Sequence, residues 1–487
     1  MDRLEVAIIL AAGEGTRMKS ATSKVLHPIA GKPILEHVLR SVSKLDANQL
    51  RVVVGAHRES VESALMEIAP AAIPVFQAER NGTGHAVQLA LADISTEGTV
   101  LILAGDTPLI SSDTLKEFLS VHIEDENDAS VLSAMLPDPF GYGRIIRDDF
   151  GNIDRIVEER DATEEERSLD EVNTGVYLFN LSALRKSIAQ LSTNNSQGEL
   201  YLTDVIALIK SNAGKAAVIL SNDYTETLGI NDRSQLAEAG AILRDRINDS
   251  HMKNGVTIID PFTTWIDVDV VIQSDVVIYP GTALSGKTVI KSGAVIGPRT
   301  TLVDTEVESG ARVIESQVTG SKIGADATVG PFSFLRAGTV LGPSTKVGAY
   351  VEVKNSSVGE GSKVPHLSYV GDATIGKGSN IGAATIFANY DGINKYQTVV
   401  GDDVRIGSDN VLVAPVTVGD GAYTAAGSVI TENVEPGSMA VARAKQRNIL
   451  GWVLRKRSGS KSAQSAERAG ARHEETSVTP PGNGASE

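Results

Sequence analysis

"IDVDVVIQSDVVIYPGTALSGKTVIKSGAVIGPRTTL", residues 266–302, carries an aliphatic residue at every sixth position: Ile266, Ile272, Ile278, Leu284, Ile290, Ile296 and Leu302. The series resumes at Ile323, Val329, Leu335, Leu341, Val347 and Val353, with occasional steps of five. A period of six fits neither an α-helix nor a simple alternating strand. It marks a hexapeptide solenoid in which each sixth residue is an inward corner and three hexads close one coil. Roughly nine or ten coils fit before residue 435. The register breaks between Ile386 and Ile406 at "FANYDGINKYQTVVGDDVR", and a repeat tolerates such an insertion only as a surface loop.

Upstream, short β-rich runs alternate with helical ones. "VAIIL" (6–10) is followed by Ile34, Leu35, Val38, Leu39, Val42 and Leu45 at helical spacing behind Pro33, then by "RVVVG" (51–55). "PVFQ" (74–77) precedes a helix with Val87, Ala90, Leu91 and Ile94 on one face, and "TVLILAGD" (99–106) follows. This is βαβ alternation around a mainly parallel sheet. The fold expected is an α/β Rossmann-like domain (1–232), a helical linker (233–253), a left-handed parallel β-helix (254–440), a short arm (441–457) and a disordered tail (458–487) without a packing role.

The chain has 487 residues, 46 glycines, only 4% aromatic residues and no cysteine, so disulfides and thiolate metal sites are excluded. A net charge of −16 disfavours general nucleic-acid binding and confines phosphate ligands to local basic pockets. The start is charged, and no run reaches the ~18 apolar residues of a membrane span, so a soluble, cytoplasmic protein is expected.

"LAAGEGTRMKSATSKVLHPIAGKP" (10–33) joins a buried strand to a helix. It is neither a Walker loop, since Met18 precedes Lys19 and Ser20, nor a dinucleotide fingerprint, since Met18 sits where a small residue is needed. Gly13 and Gly15 bare backbone N–H groups, and Arg17, Lys19 and Lys24 follow within short reach, which suits a triphosphate. Asp106 ends a buried strand, where parallel sheets bind ligands, and a carboxylate beside a triphosphate points to Mg²⁺.

In the solenoid, Arg336 and Lys354 each follow a corner, Leu335 and Val353, and so should stack about 4.8 Å apart on successive coils. Such like charges are destabilising unless an anion joins them, and a sugar phosphate is the natural one. The same register sets Glu352 beneath Tyr369 and puts His366 two places after corner Val364. A neutral imidazole there accepts a proton from an amine, with Glu352 orienting or balancing it.

"LAAGEGTRM" with Lys24, "QAERNGTGHA" (77–86), "AGDTPL" (104–109), "GYGRI" (141–145), "IVEERDA" (156–162), "NTGVYLF" (173–179) and "GINDR" (229–233) lie in the first half. "VPHLSYVGD" (364–372), "NIGAATIFANYDG" (380–392) and "GSDNVLVAPVTVG" (407–419) lie in the solenoid. Together they resemble the bifunctional N-acetylglucosamine-1-phosphate uridylyltransferase/glucosamine-1-phosphate acetyltransferase family, over about residues 5 to 455. The resemblance implies that the α/β Rossmann-like domain is a nucleotidyltransferase domain, with UTP phosphates against Leu10, Ala11, Ala12 and Gly13 and with Arg17 and Lys24 stabilising the transferred phosphorus. It implies uracil contacts from Gln77, Gly82 and Thr83, sugar contacts from Gly143, Glu158 and Asn173, further nucleotide contacts from Ala104 and Gly105, and Mg²⁺ on Asp106 and Asn231. The family commonly has Tyr where Ala104 stands, which alters one contact to the sugar nucleotide.

For the second site the resemblance implies glucosamine-1-phosphate on Arg336, Lys354, Tyr369 and Asn380, with His366 as base. Acetyl-CoA would lie along Ala383, Asn389, Tyr390, Ser408, Ala426 and Arg443. The thioester is already activated, so no acyl-enzyme and no cysteine is needed. A homotrimer is implied, with the arm carrying Trp452 reaching a neighbouring subunit, and the product would feed peptidoglycan and cell-envelope synthesis. The rival readings are a nucleotidylyltransferase for another sugar with the solenoid serving only assembly, and a non-catalytic trimeric scaffold.

Overall fold

The computed structural model of the chain describes residues 4–472. The apolar runs of the first half become one mixed sheet in the order Ala216–Leu220, Ala129–Met135, Glu171–Asn180, Thr99–Ala104, Leu4–Ala11, Gln49–Val54, Ile73–Phe76. Leu4–Ala11 is parallel to both neighbours, pairing Ile9 with Leu103 on one side and with Val52 on the other. Glu171–Asn180 runs antiparallel between Thr99–Ala104 and Ala129–Met135.

The central strands are apolar on both faces because helices cover both. Ala7 and Ile9 pack with Val38, Leu39, Leu115 and Phe118, whereas Val6 and Ile8 pack with Ala86, Val87, Ala90 and Val205. Strand order reverses at Leu4–Ala11, so the crevice beyond its carboxyl end is where such a sheet takes a ligand.

The polar stretch after residue 232 is a single helix, Arg233–Lys253, capped by Asp232, whose carboxylate accepts from the Gln235 N–H at 2.9 Å. Its Ala239 packs with Ile29, Ile34, Leu109 and Ile230. Its Asn248, fully buried, donates to the Pro261 and Thr264 carbonyls at 2.9 and 3.0 Å. One helix thus braces the α/β domain and the start of the solenoid.

The hexad period becomes three parallel sheets of eleven, ten and nine short strands, consistent with a left-handed parallel β-helix. Up to the last coil each strand pairs with the third one following: Ile272 with Ile290, Ile278 with Ile296, Leu284 with Leu302. Steps of five shorten the coil locally, as where Ile290 meets Val307. The period has a direct structural cause. The corner and the residue two before it both point inward, as strand alternation requires, and a turn follows. Thr288 before Ile290 and Thr300 before Leu302 are buried and donate their hydroxyls to the Ser285 and Pro298 carbonyls at 2.7 and 3.2 Å.

The interruption at 387–405 is accommodated as sequence periodicity requires. Ile386 pairs with Val411, and the residues in excess of a normal coil leave the prism as a loop braced by a bridge between Tyr390 and Lys395.

The first coil docks on the α/β domain through Asp269, which accepts from Arg40 at 2.8 Å and from Lys32 at 2.6 Å. Nearby, the Val268 N–H donates to the Ala30 carbonyl at 3.1 Å. These contacts hold the hairpin Pro28–Pro33 that follows the Lys24 loop.

The expectation of a tail without packing is corrected for its first part. Lys461–Arg468 is a helix capped by Ser460, and its Ala463 is buried against the short helix Trp452–Lys456, whose Leu454 is buried too. Two alanines, Ala463 and Ala466, sufficed to pack this helix where no large apolar residue signalled it. The rest of the expected tail, 473–487, lies outside the described residues.

Candidate active sites

The turn after Leu4–Ala11 is shaped by one glycine. Gly15 has φ +64°, and a Cβ there would lie 2.6 Å from the Lys24 Cβ, so only glycine lets the two limbs of the loop close on each other. The closure turns Lys24 inward, with Arg17 on the 3₁₀ turn Thr16–Met18.

Leu10, Ala11, Ala12, Gly13, Lys24, Gln77, Gly82, Thr83, Ala104, Asp106, Glu158 and Asn173 all line one cavity of about 550 Å³. An adjoining cavity of about 310 Å³ shares Ala104 and Asp106 and is lined by Arg17 and Asn231. Gly105 and Gly143 line neither cavity; Gly105 donates its N–H to the Leu10 carbonyl at 2.9 Å and the Gly143 carbonyl accepts from the Asn173 N–H at 2.8 Å, so each braces a residue of the wall from behind. Residues as far apart as Leu10 and Asn231 are therefore brought together.

The floor of the crevice is electrostatic. Lys24 is ion-paired with Asp106 and also donates to the Asn231 Oδ1 at 3.3 Å. Two hard oxygen donors thus converge on one cationic point, a donor set that suits a small divalent cation completed by phosphate and water oxygens. Among the described residues no group of three or more His, Cys, Asp or Glu forms an all-protein metal site.

At the far end, burial pushes the Glu158 carboxyl above its usual range, while Thr203 donates to it at 3.2 Å. Sequence reasoning missed Arg80, Tyr177 and Thr203 in this wall. Arg80 lies inside a quoted motif and pairs with Glu14 of the phosphate loop at 2.6 Å, so its charge was the available signal. Nothing in the local pattern distinguished Tyr177 from a core aromatic.

On the β-helix, the expected stack forms: Glu352 pairs with Tyr369, and the Arg336 N–H donates to the Val353 carbonyl at 2.8 Å. Protein carboxylates already meet both cations, in addition to the sugar phosphate expected there. Arg336 pairs with Glu352 at 3.0 Å and Lys354 with Asp372 at 3.4 Å. Glu352 is thereby committed to Arg336, which corrects its expected partnership with His366.

Asp372 also accepts from Asn355 at 2.7 Å and from Asn389 at 2.5 Å. The loop brings a third cation, Lys395, which Lys354 beside it lowers below the ordinary lysine range, with Arg336 adding to the effect. A Cβ on Gly371 would run into the Tyr369 hydroxyl, so a bare backbone here seats the phenol. Lys395 was missed because charge pairing across an insertion is invisible to a six-residue register; Asp372, eighteen residues after Lys354, lay within that register and was overlooked.

The remaining residues follow one prism edge. The Ala384 N–H donates to the His366 carbonyl at 3.2 Å, Asp409 to Ala383 at 2.7 Å, and Gly427 to Ser408 at 2.9 Å. His366, Ala383, Ser408 and Ala426 therefore climb coil by coil, with the His366 ring exposed and Asn380 on the adjoining strand Asn380–Ile381. Tyr390 stands exposed on the loop, its hydroxyl on the Gly392 carbonyl at 2.6 Å. Arg443 is exposed beyond the last strand Met439–Ala440, and no side-chain contact among the described residues brings it to this edge.

A glycine-shaped turn, a lysine–carboxylate ion pair and hard oxygen donors at the switch point of a mixed sheet, joined to a hexapeptide β-helix, define a nucleotidyltransferase with a second, solenoid module. The profile of the MobA-like NTP transferase domain matches residues 7–171, and that of the GMPPB C-terminal domain matches residues 318–421. Relatives named bifunctional protein GlmU match nearly end to end. That of Streptomyces avermitilis is 53% identical over 470 residues, 96% of this chain and 98% of its own. That of Thermobifida fusca is 51% identical over 478 residues (97% and 99%), and that of Mycolicibacterium gilvum 51% over 466 (94% of each). The chain belongs to the family of the bifunctional protein GlmU. No helix among the described residues is long and apolar enough to cross a membrane.

Proposed function

We propose that this chain carries out two reactions in series: acetylation of glucosamine-1-phosphate by acetyl-CoA on the β-helix, then transfer of UMP from UTP to the N-acetylated product in the α/β crevice. The observation that carries the reading is the convergence of the phosphate turn, Lys24, Asp106, Glu158 and Asn173 on one cavity.

In the crevice, backbone N–H groups from Leu10 to Gly13 meet the UTP phosphates, and Gln77, Gly82 and Thr83 meet the uracil. Glu158, Asn173 and Gly143 hold the sugar. A phosphate oxygen of the sugar attacks the α-phosphorus in line as the bond to pyrophosphate breaks, while Lys24 and Arg17 balance charge there. Asp106 and Asn231 would hold Mg²⁺, which when bound neutralises phosphate charge. Lys24 then leaves Asp106 and turns to the substrate.

On the β-helix, Arg336, Lys354 and Lys395 clamp the sugar phosphate, with Tyr369 and Asn380 beside it. The 2-amine attacks the thioester carbonyl, the carbon–sulfur bond breaks, the thiolate leaves, and His366 takes the amine proton and passes it on to the thiolate, which is released as the thiol. Asn389, Tyr390, Ala383, Ser408, Ala426 and Arg443 guide the coenzyme. Exposed Ile449, Leu450 and Trp452 on the arm support assembly as a homotrimer, and the absence of cysteine suits the cytoplasm.

Incubating purified protein with glucosamine-1-phosphate, acetyl-CoA, UTP and Mg²⁺ tests both halves when thiol and pyrophosphate are read separately. Release of both supports the reading. Pyrophosphate without thiol, with another sugar phosphate as the better acceptor, would favour an assembly-only solenoid.

A further inference from the structure

Tyr177 is 4% exposed, stacks on Phe179 with ring centroids 5.8 Å apart, and lines the nucleotide cavity. Its hydroxyl accepts from the Asn173 Nδ2 at 2.7 Å. The two side chains meet because the strand Glu171–Asn180 slips its register between Asn173 and Val176, with Gly175 at φ +77°. The slip is locked from outside: the Thr174 hydroxyl donates to the Leu132 carbonyl at 2.7 Å.

The Asn173 amide is fixed at both ends. The Gly175 N–H, which can only donate, meets Oδ1 at 3.2 Å, so Nδ2 must face Tyr177. One N–H and one carbonyl lone pair of Asn173 then remain for a ligand. A 2-acetamido group offers the matching carbonyl and N–H. Beside them Ala104 and Gly175, both small, leave the wall open for an acyl group.

We propose that Tyr177 is a positioning residue that makes the α/β site selective for a 2-acetamido sugar phosphate, by holding the Asn173 amide in the one orientation that pairs with the acetamido group. This rests on the reading that Asn173 lies in the sugar subsite. Tyr177 acts through Asn173 and takes no part in phosphoryl transfer.

The test compares uridylyl transfer to N-acetylglucosamine-1-phosphate and to glucosamine-1-phosphate in Tyr177→Phe, Asn173→Ala and the double variant. Phe keeps the ring and its stacking, and thermal unfolding checks each fold. In Tyr177→Phe the kcat/KM ratio of acetylated to free-amine substrate should fall about tenfold, the scale of one hydrogen bond, with the KM for UTP unchanged. Asn173→Ala should lower the ratio at least as much, and the double variant no further, because the two residues act as one unit. The proposal is overturned if Asn173→Ala lowers the ratio while Tyr177→Phe leaves it within twofold, or if the two effects add. If Asn173→Ala itself leaves the ratio unchanged, the sugar-subsite reading fails and takes the proposal with it.

Discussion

Lys24 and Asp106, far apart in sequence, are ion-paired at the floor of the nucleotide cavity, their side chains 12% and 20% exposed. A carboxylate so enclosed needs a cation beside it, and the lysine supplies one while Asn231 takes a second of its protons. On the proposed reading the pair holds the two charges of the α/β reaction, one for the metal and one for the phosphate, against each other until substrate separates them.

Asp106→Ala should therefore lower uridylyl transfer by about 10²-fold or more, the scale of losing a preorganised charge, while acetyl transfer stays within about twofold. Pyrophosphate and thiol release, measured on the same preparation, separate the two. Chelation of Mg²⁺ should reproduce the split in the unaltered protein. Parallel loss of both activities in a folded variant would contradict independent sites.

The domain junction has its own pH dependence. Arg40, with Lys32, holds the Asp269 carboxyl down at about 2. A carboxyl depressed by folding stabilises above its ordinary range and loses that stabilisation as pH falls toward 2. Asp269→Asn should cost about 1 kcal/mol at pH 7, the scale of a partly exposed ion-pair network. Unfolding followed from neutral to strongly acid pH should show the two proteins converging at the acid end. A difference that persists there would mean Asp269 contributes by packing alone.

The β-helix was legible in the chain because its cause is local and repeated: each inward corner answers the same demand, so Ile266 to Val353 advertise the fold. The phosphate turn was legible through Gly15 and the cations around it. Pairings between coils or domains were not, since Arg336 with Glu352 and Lys32 with Asp269 join positions that no short-range period relates. Lys395 shows the same limit, being brought to Lys354 and Asp372 only by the loop between strands Ile386–Ala388 and Thr398–Val400.

Truncation after Ser460 probes the segment whose packing the sequence concealed. Losing Lys461–Arg468 uncovers Leu454, so residues around Trp452–Lys456 should be cleaved several-fold faster in limited proteolysis, whereas truncation after Arg472 should change nothing. Uridylyl transfer should survive both cuts. Equal protease resistance of the two truncated chains would show that the helix Lys461–Arg468 does not brace the arm.

His366 and Arg336 should fail in different ways. The His366 ring is exposed at the prism edge with no side-chain hydrogen bond among the described residues, free to take a proton from an amine seated beside it. His366→Ala should lower acetyl-transfer turnover by about 10²-fold or more, the usual scale of general base catalysis, while uridylyl transfer from supplied N-acetylglucosamine-1-phosphate stays normal. On the proposed reading Arg336 serves the phosphate end, and Glu352 accepts from it at 3.0 Å. Arg336→Ala should mainly raise the KM for glucosamine-1-phosphate, because a clamp remote from the amine contributes nearly equal binding to ground state and transition state. If His366→Ala kept near-normal turnover at saturating substrate across about pH 6 to 9, the amine proton would have to leave by another route, and the histidine would be only part of the wall.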